Sequence, residues 1–103
     1  MKLTVRRGGG IAGIVRRTEL DDSDLPPDDA KTFAGEVDRA GVRHLTSPAV
    51  GRRRPDEQLY EILLEEAGRQ FRLNYTDATL PEDIRRLIER VDVRPQRRES
   101  LEL

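Results

Sequence analysis

Two runs of alternating character joined by a tight turn constrain this chain more than anything else in it. Tyr60, Ile62 and Leu64 share one side of the first run, and Phe71, Leu73 and Tyr75 share one side of the second, where they alternate with Gln70, Arg72, Asn74 and Thr76. A period of two demands strands with one buried face. Glu66-Ala67-Gly68-Arg69 supplies the turn that folds the two runs onto each other. Their apolar face then needs a cover, and two segments can provide it. Ala30, Phe33, Ala34 and Val37 recur at the spacing of one helical face, behind Pro26-Pro27 and ahead of a capping Gly41. Ile84, Leu87, Ile88 and Val91 trace a second stripe, with Thr79 and Glu82 spaced as a capping box.

The N-terminal part supplies two more strands. Leu3 and Val5 alternate with Lys2, Thr4 and Arg6, and Ile14-Val15-Arg16-Arg17-Thr18-Glu19-Leu20 is rich in β-branched residues. Between them Gly8-Gly9-Gly10-Ile11-Ala12-Gly13 spells G-x-G-x-x-G. A dinucleotide site needs a helix directly behind those glycines, to hold the pyrophosphate at its N-terminus. Here a strand follows, and Asp21-Asp22-Ser23-Asp24-Leu25-Pro26-Pro27 stops it, so the glycines read as a hairpin connection. From Val42 to Glu57 periodicity disappears, and Pro48, Gly51, Arg52-Arg53-Arg54 and Pro55 mark a long exposed loop. The predicted order is ββαββα: an α+β, two-layer fold with a four-stranded antiparallel sheet and two helices on one face. Residues 1–93 form a single domain in this reading, and the charged segment 94–103 is a disordered tail.

At 103 residues the chain can build one modest core and no deep internal cavity, so its work belongs on the surface. Nineteen basic residues, almost all arginine, balance twenty acidic ones, and no net field favours nucleic acid or an anionic membrane. Cysteine is absent, which excludes disulfides and thiolate metal sites. No apolar run follows Met1 to act as a secretion signal, and the expected location is cytoplasmic. His44 is the sole histidine, too little for a transition-metal site. Ser23, Ser47 and Ser100 lie in turns, loop and tail without a nucleophile-elbow pattern. The acidic residues Asp21, Asp22, Asp24, Asp28 and Asp29 lack the spacing of a calcium loop. Arg52, Arg53 and Arg54 could touch phosphates, but Tyr60, Phe71 and Tyr75 fall on the inferred core face and leave no stacking platform. The expectation is therefore a non-enzymatic protein without cofactor, metal, small-molecule substrate or nucleic acid. Ile11 and Ile14, placed among glycines at an exposed turn, suit a loop that enters a partner's cleft.

With these residues in view, the chain resembles the emfourin-like family of small cytosolic inhibitors of protealysin-like, thermolysin-class zinc metalloproteases. The resemblance spans about residues 1 to 92. It rests on Gly9-Gly10-Ile11-Ala12-Gly13-Ile14 followed by Arg16, on Leu25-Pro26, on Pro55-Asp56 ahead of Gln58, Tyr60 and Ile62, and on Leu80-Pro81 before Leu87-Ile88. It implies a protein partner, a thermolysin-like metalloprotease whose active-site cleft the chain occludes. The partner-binding residues so implied are Gly9, Gly10, Ile11, Ala12, Gly13, Ile14 and Arg16; Arg52, Arg53 and Arg54, in a loop that departs from the typical member, are further candidates for partner binding on their charge. A rival reading is a regulatory adaptor that binds another cytosolic protein through the same surface.

Overall fold

A computed structural model describes residues 1–9, 13–48 and 57–102. The chain runs β1 (Lys2–Gly9), β2 (Val15–Asp21), a 3-10 turn (Asp22–Asp24), α1 (Pro27–Ala40), β3 (Gln58–Glu66), β4 (Arg69–Thr76), α2 (Glu82–Asp92) and β5 (Arg98–Glu102). The α+β class, the single antiparallel sheet and the two helices match the sequence reading. The sheet, however, has five strands in the order β4-β3-β1-β2-β5, not four, and the chain closes ββαββαβ.

The extra strand comes from the segment expected to be disordered. Arg98–Glu102 pairs antiparallel with the outer edge of β2, Arg16 opposite Leu101 and Val15 opposite Glu102. Four of its five residues are exposed, so burial does not hold it there. Backbone pairing and charge do. Glu102 meets Arg6 and Arg17, and Glu99 meets Arg16, which gives the strand ionic anchors on two neighbouring strands.

The core lies where the alternation placed it. Leu3, Val5, Leu20, Tyr60, Ile62, Leu64, Leu73 and Tyr75 face the helices, which contribute Phe33, Val37, Ile84, Leu87, Ile88 and Val91. Phe33, Val37 and Ile84 are wholly inaccessible, and Phe71, near the outer edge of the sheet, is half-buried. Complete burial of such side chains contributes about 1.5–3 kcal/mol each. The opposite face is charged: Arg6 reaches Glu61 at 3.6 Å, Arg17 reaches Glu19 at 2.5 Å, and Lys2 reaches Glu19 at 3.4 Å.

The turns obey local chemistry. Ala67 and Gly68 take φ of 49° and 77°, so both central residues of the β3–β4 turn are left-handed, as a two-residue hairpin of matching twist requires. Gly41 ends α1 in the left-handed conformation, its N–H bonded to Asp38 O. The expected capping box is not formed. Pro81 takes the N-cap of α2, and Thr79 Oγ1 instead accepts from Thr76 N at 2.9 Å, closing the turn out of β4.

Candidate functional site

Register places the base of the glycine segment and the base of the arginine loop side by side. Gly8 stands opposite Val15 on one side and Leu59 on the other, and Gly9 stands opposite Gln58. The connections 10–14 and 49–57 thus attach to neighbouring strands at one end of the sheet. A third segment joins them there, since Asp77 N donates to Gln58 O at 3.1 Å. On the outer edge of β4, Asn74 N donates to Ser47 Oγ at 2.9 Å, which brings the start of the long loop alongside that strand. Gly10, Ile11, Ala12, Arg52, Arg53 and Arg54 lie outside the described residues. Gly9, Gly13, Ile14 and Arg16 lie within them and occupy this end.

The two described glycines differ in their reasons. At Gly9, with φ of 120°, a Cβ would sit 2.7 Å from Glu57 O, so the residue lets the backbones of β1 and the β3 entrance approach. Gly13 has φ of 64° and open space around it. Its need is conformational, not steric. Ile14 beside it is 43% exposed, a large apolar side chain presented at the tip of the sheet.

Beneath this end sits a charged cluster that sequence reasoning missed. Arg7 Nη1 donates to Asp92 Oδ2 and Nη2 to Asp92 Oδ1, both at 2.7 Å, and Nη2 also reaches Thr18 Oγ1 at 2.9 Å. Arg16 adds a contact to Asp92 Oδ1 at 3.2 Å and another to Glu99 at 3.4 Å. Burial alone would raise the Asp92 carboxyl, but the Arg7 hydrogen bonds and the charges of Arg7, Arg16 and Arg97 outweigh it and hold the group below the ordinary carboxylate range. The signal was present in the sequence. Arg7 continues the inward positions of Leu3 and Val5, and an arginine in such a place requires a buried acid.

Next along the same row Tyr60, opposite Arg7 in register, donates its hydroxyl to Asp77 Oδ1 at 2.9 Å. Burial, then this bond, pushes the Tyr60 hydroxyl above its ordinary value. His44 is exposed in the turn after α1 and joins no such cluster. Among the described residues no group of three or more His, Asp or Glu side chains is arranged to hold a metal ion. The described helices include none long and apolar enough to cross a membrane.

The site is thus two loop roots on a sheet end braced by the Arg7–Asp92 pair. The family model named Emfourin matches residues 5–92. The chain belongs to the emfourin family. No curated protein and no solved structure matches it significantly. The matched span runs from Val5, within β1, to the end of α2 and stops before β5, so the fifth strand lies beyond the part shared with the emfourin model. As a family of inhibitor type, the emfourins point to a protease inhibitor with a protein partner.

Proposed function

We propose that this emfourin is a stoichiometric inhibitor that occludes the active-site cleft of a thermolysin-like zinc metalloprotease. The observation that carries the reading is the pairing of Gly9 with Gln58, which roots the glycine hairpin and the arginine loop together at the end where Ile14 is exposed. Two adjacent loops on one rigid edge fit a groove that accepts extended substrate. The scaffold's order before binding limits the entropy lost on association. In this reading Ile11 or Ile14 fills an apolar specificity pocket, Gly10 and Gly13 let the backbone approach the groove wall, and Arg52, Arg53 and Arg54 steer encounter. The chain performs no chemistry itself and works in the cytoplasm beside its protease.

The test is cleavage of a peptide substrate by a thermolysin-like protease encoded next to this chain, titrated with wild type, Gly13→Val and Ile14→Ala. Wild type should titrate the enzyme stoichiometrically. Each variant, verified as folded, should bind about one to two decades more weakly, equivalent to about 1–3 kcal/mol. Wild type without effect on the protease would move the adaptor reading ahead.

A further inference from the structure

The central strand carries an arginine where its pattern calls for a hydrophobic residue. Arg7 follows Leu3 and Val5 on the helix-covered face of β1, and its side chain is 10% exposed. Replacing a buried ion pair by apolar side chains of similar volume is often neutral or stabilising, so stability alone does not explain this choice. The cluster is also incompletely satisfied, since Arg7 Nε is buried without a hydrogen-bond partner among the described residues. A guanidinium does offer direction. Its planar fork meets both oxygens of Asp92 and, through Nη2, the hydroxyl of the wholly buried Thr18, which fixes three elements at defined angles.

Those three elements converge at the root of the glycine hairpin. Arg7 immediately precedes Gly8 on β1, Thr18 lies on β2, and Asp92 is the last residue of α2. Arg16, opposite Arg7 in register, binds the same carboxylate and passes the connection to Glu99 of β5. We infer that Arg7, locked by Asp92 and Thr18, is a positioning residue that sets the relative orientation of β1 and β2 at the root of the hairpin. Glu99 is the second brace of the same device. The inference rests on the inhibitor reading for its consequence, not for its geometry.

Asp92→Asn tests it, because the change is nearly isosteric and removes the charge that both arginines face. Amide exchange is followed at residues 6–8 and 15–18, with residues 61–64 and 71–74 of the β3–β4 pair as the reference. Glu82→Gln, which removes an exposed i,i+4 partner of Arg86 at the far end of α2, serves as control. Exchange at the hairpin root should accelerate at least about tenfold in Asp92→Asn, with little change in the reference strands or the control. Glu99→Gln should shift the same amides by a smaller factor. Acceleration spread evenly over both groups would reduce the pair to general stability and overturn the inference, as would no acceleration. In parallel, inhibition of the thermolysin-like protease should weaken about tenfold in Asp92→Asn. If wild type inhibits and Asp92→Asn inhibits equally despite a loosened root, positioning is overturned while the inhibitor reading stands. If wild type does not inhibit, the inhibitor reading falls and the exchange pattern alone decides the lock.

Discussion

Replacing Gly9 and Gly13 by alanine separates a glycine that the fold needs from one that the loop needs. At Gly9 the added Cβ would stand 2.7 Å from Glu57 O, a backbone atom that cannot swing aside. Relief requires β1 and the β3 entrance to part by several tenths of an ångström, an overpacking strain of about 1–3 kcal/mol. The φ of 120° adds about 1–2 kcal/mol, because a side chain is disfavoured there. Gly9→Ala should therefore destabilise the domain by about 2–5 kcal/mol. At Gly13 nothing lies within 4 Å of the new atom, and only the left-handed conformation is penalised, by about 1 kcal/mol. For a domain of this size each kcal/mol lowers Tm by about 4–8 °C. Paired urea and thermal melts should place Gly9→Ala about 8 °C or more below wild type and Gly13→Ala about 4–8 °C below it. Equal losses would mean that the close approach of β1 to Glu57 is not a constraint on the fold.

Phe33→Ala, at a wholly buried centre of α1, should cost about 3–5 kcal/mol in urea unfolding. Glu36 sits on α1 with its side chain 4% exposed and meets Arg94 at 2.6 Å and Arg90 at 3.4 Å; Glu36→Ala should cost about 2–4 kcal/mol by leaving Arg94 buried without its acid. Truncation after Arg97 should lower Tm by a few degrees only, because the hydrogen bonds of β5 are offset by the entropy of ordering its five residues, four of them exposed. A loss beyond about 15 °C would show that β5 is integral to the core. Because the folded Asp92 carboxyl lies below its ordinary 3.8, the stability it contributes is present above that value and is lost as pH falls through the lower folded one. An acid titration of unfolding should show this loss in wild type, and Asp92→Asn should flatten it. The hydroxyls of Tyr60 and Tyr75, both raised chiefly by burial, predict the opposite limb. Their contribution is complete below pH 10.0 and disappears as pH rises through their higher folded values.

Six of the elements were legible because burial writes itself into sequence as periodicity. Leu3 and Val5 mark β1, Ile62 and Leu73 mark β3 and β4, and Phe33 and Leu87 mark the helices. β5 was illegible for the complementary reason. Arg98-Glu99-Ser100-Leu101-Glu102 has almost nothing to bury, Leu101 itself being 71% exposed, and hydrogen bonds and distant charges hold it. The capping box was a sound local pattern overridden by the turn that Thr79 forms with Thr76. Near the candidate site the left-handed backbone at Gly9 and Gly13 was readable, since glycine between two strands suits such a turn. The Arg7–Asp92 lock was only half readable: Arg7 stands at an inward position of β1, but its partner lies at the other end of the domain's sequence and meets it only once α2 has crossed to the sheet.

The place of β1 has a consequence for how the chain acquires its structure. The strand that comes first in this sheet's sequence order lies in the middle of the sheet, and its inner edge pairs Lys2 with Glu65 and Leu3 with Leu64. The β1–β2 hairpin and α1 can form from local contacts, but the β1–β3 seam must wait for a long loop to close. That delay is entropic and grows with loop length. Until residues 58–66 have emerged during synthesis, β1 carries an open row of N–H and C=O groups, a template for any other extended chain. A seam closed over so long a loop is expected to form slowly, on the scale of about milliseconds to seconds typical of sheets built from distant strands.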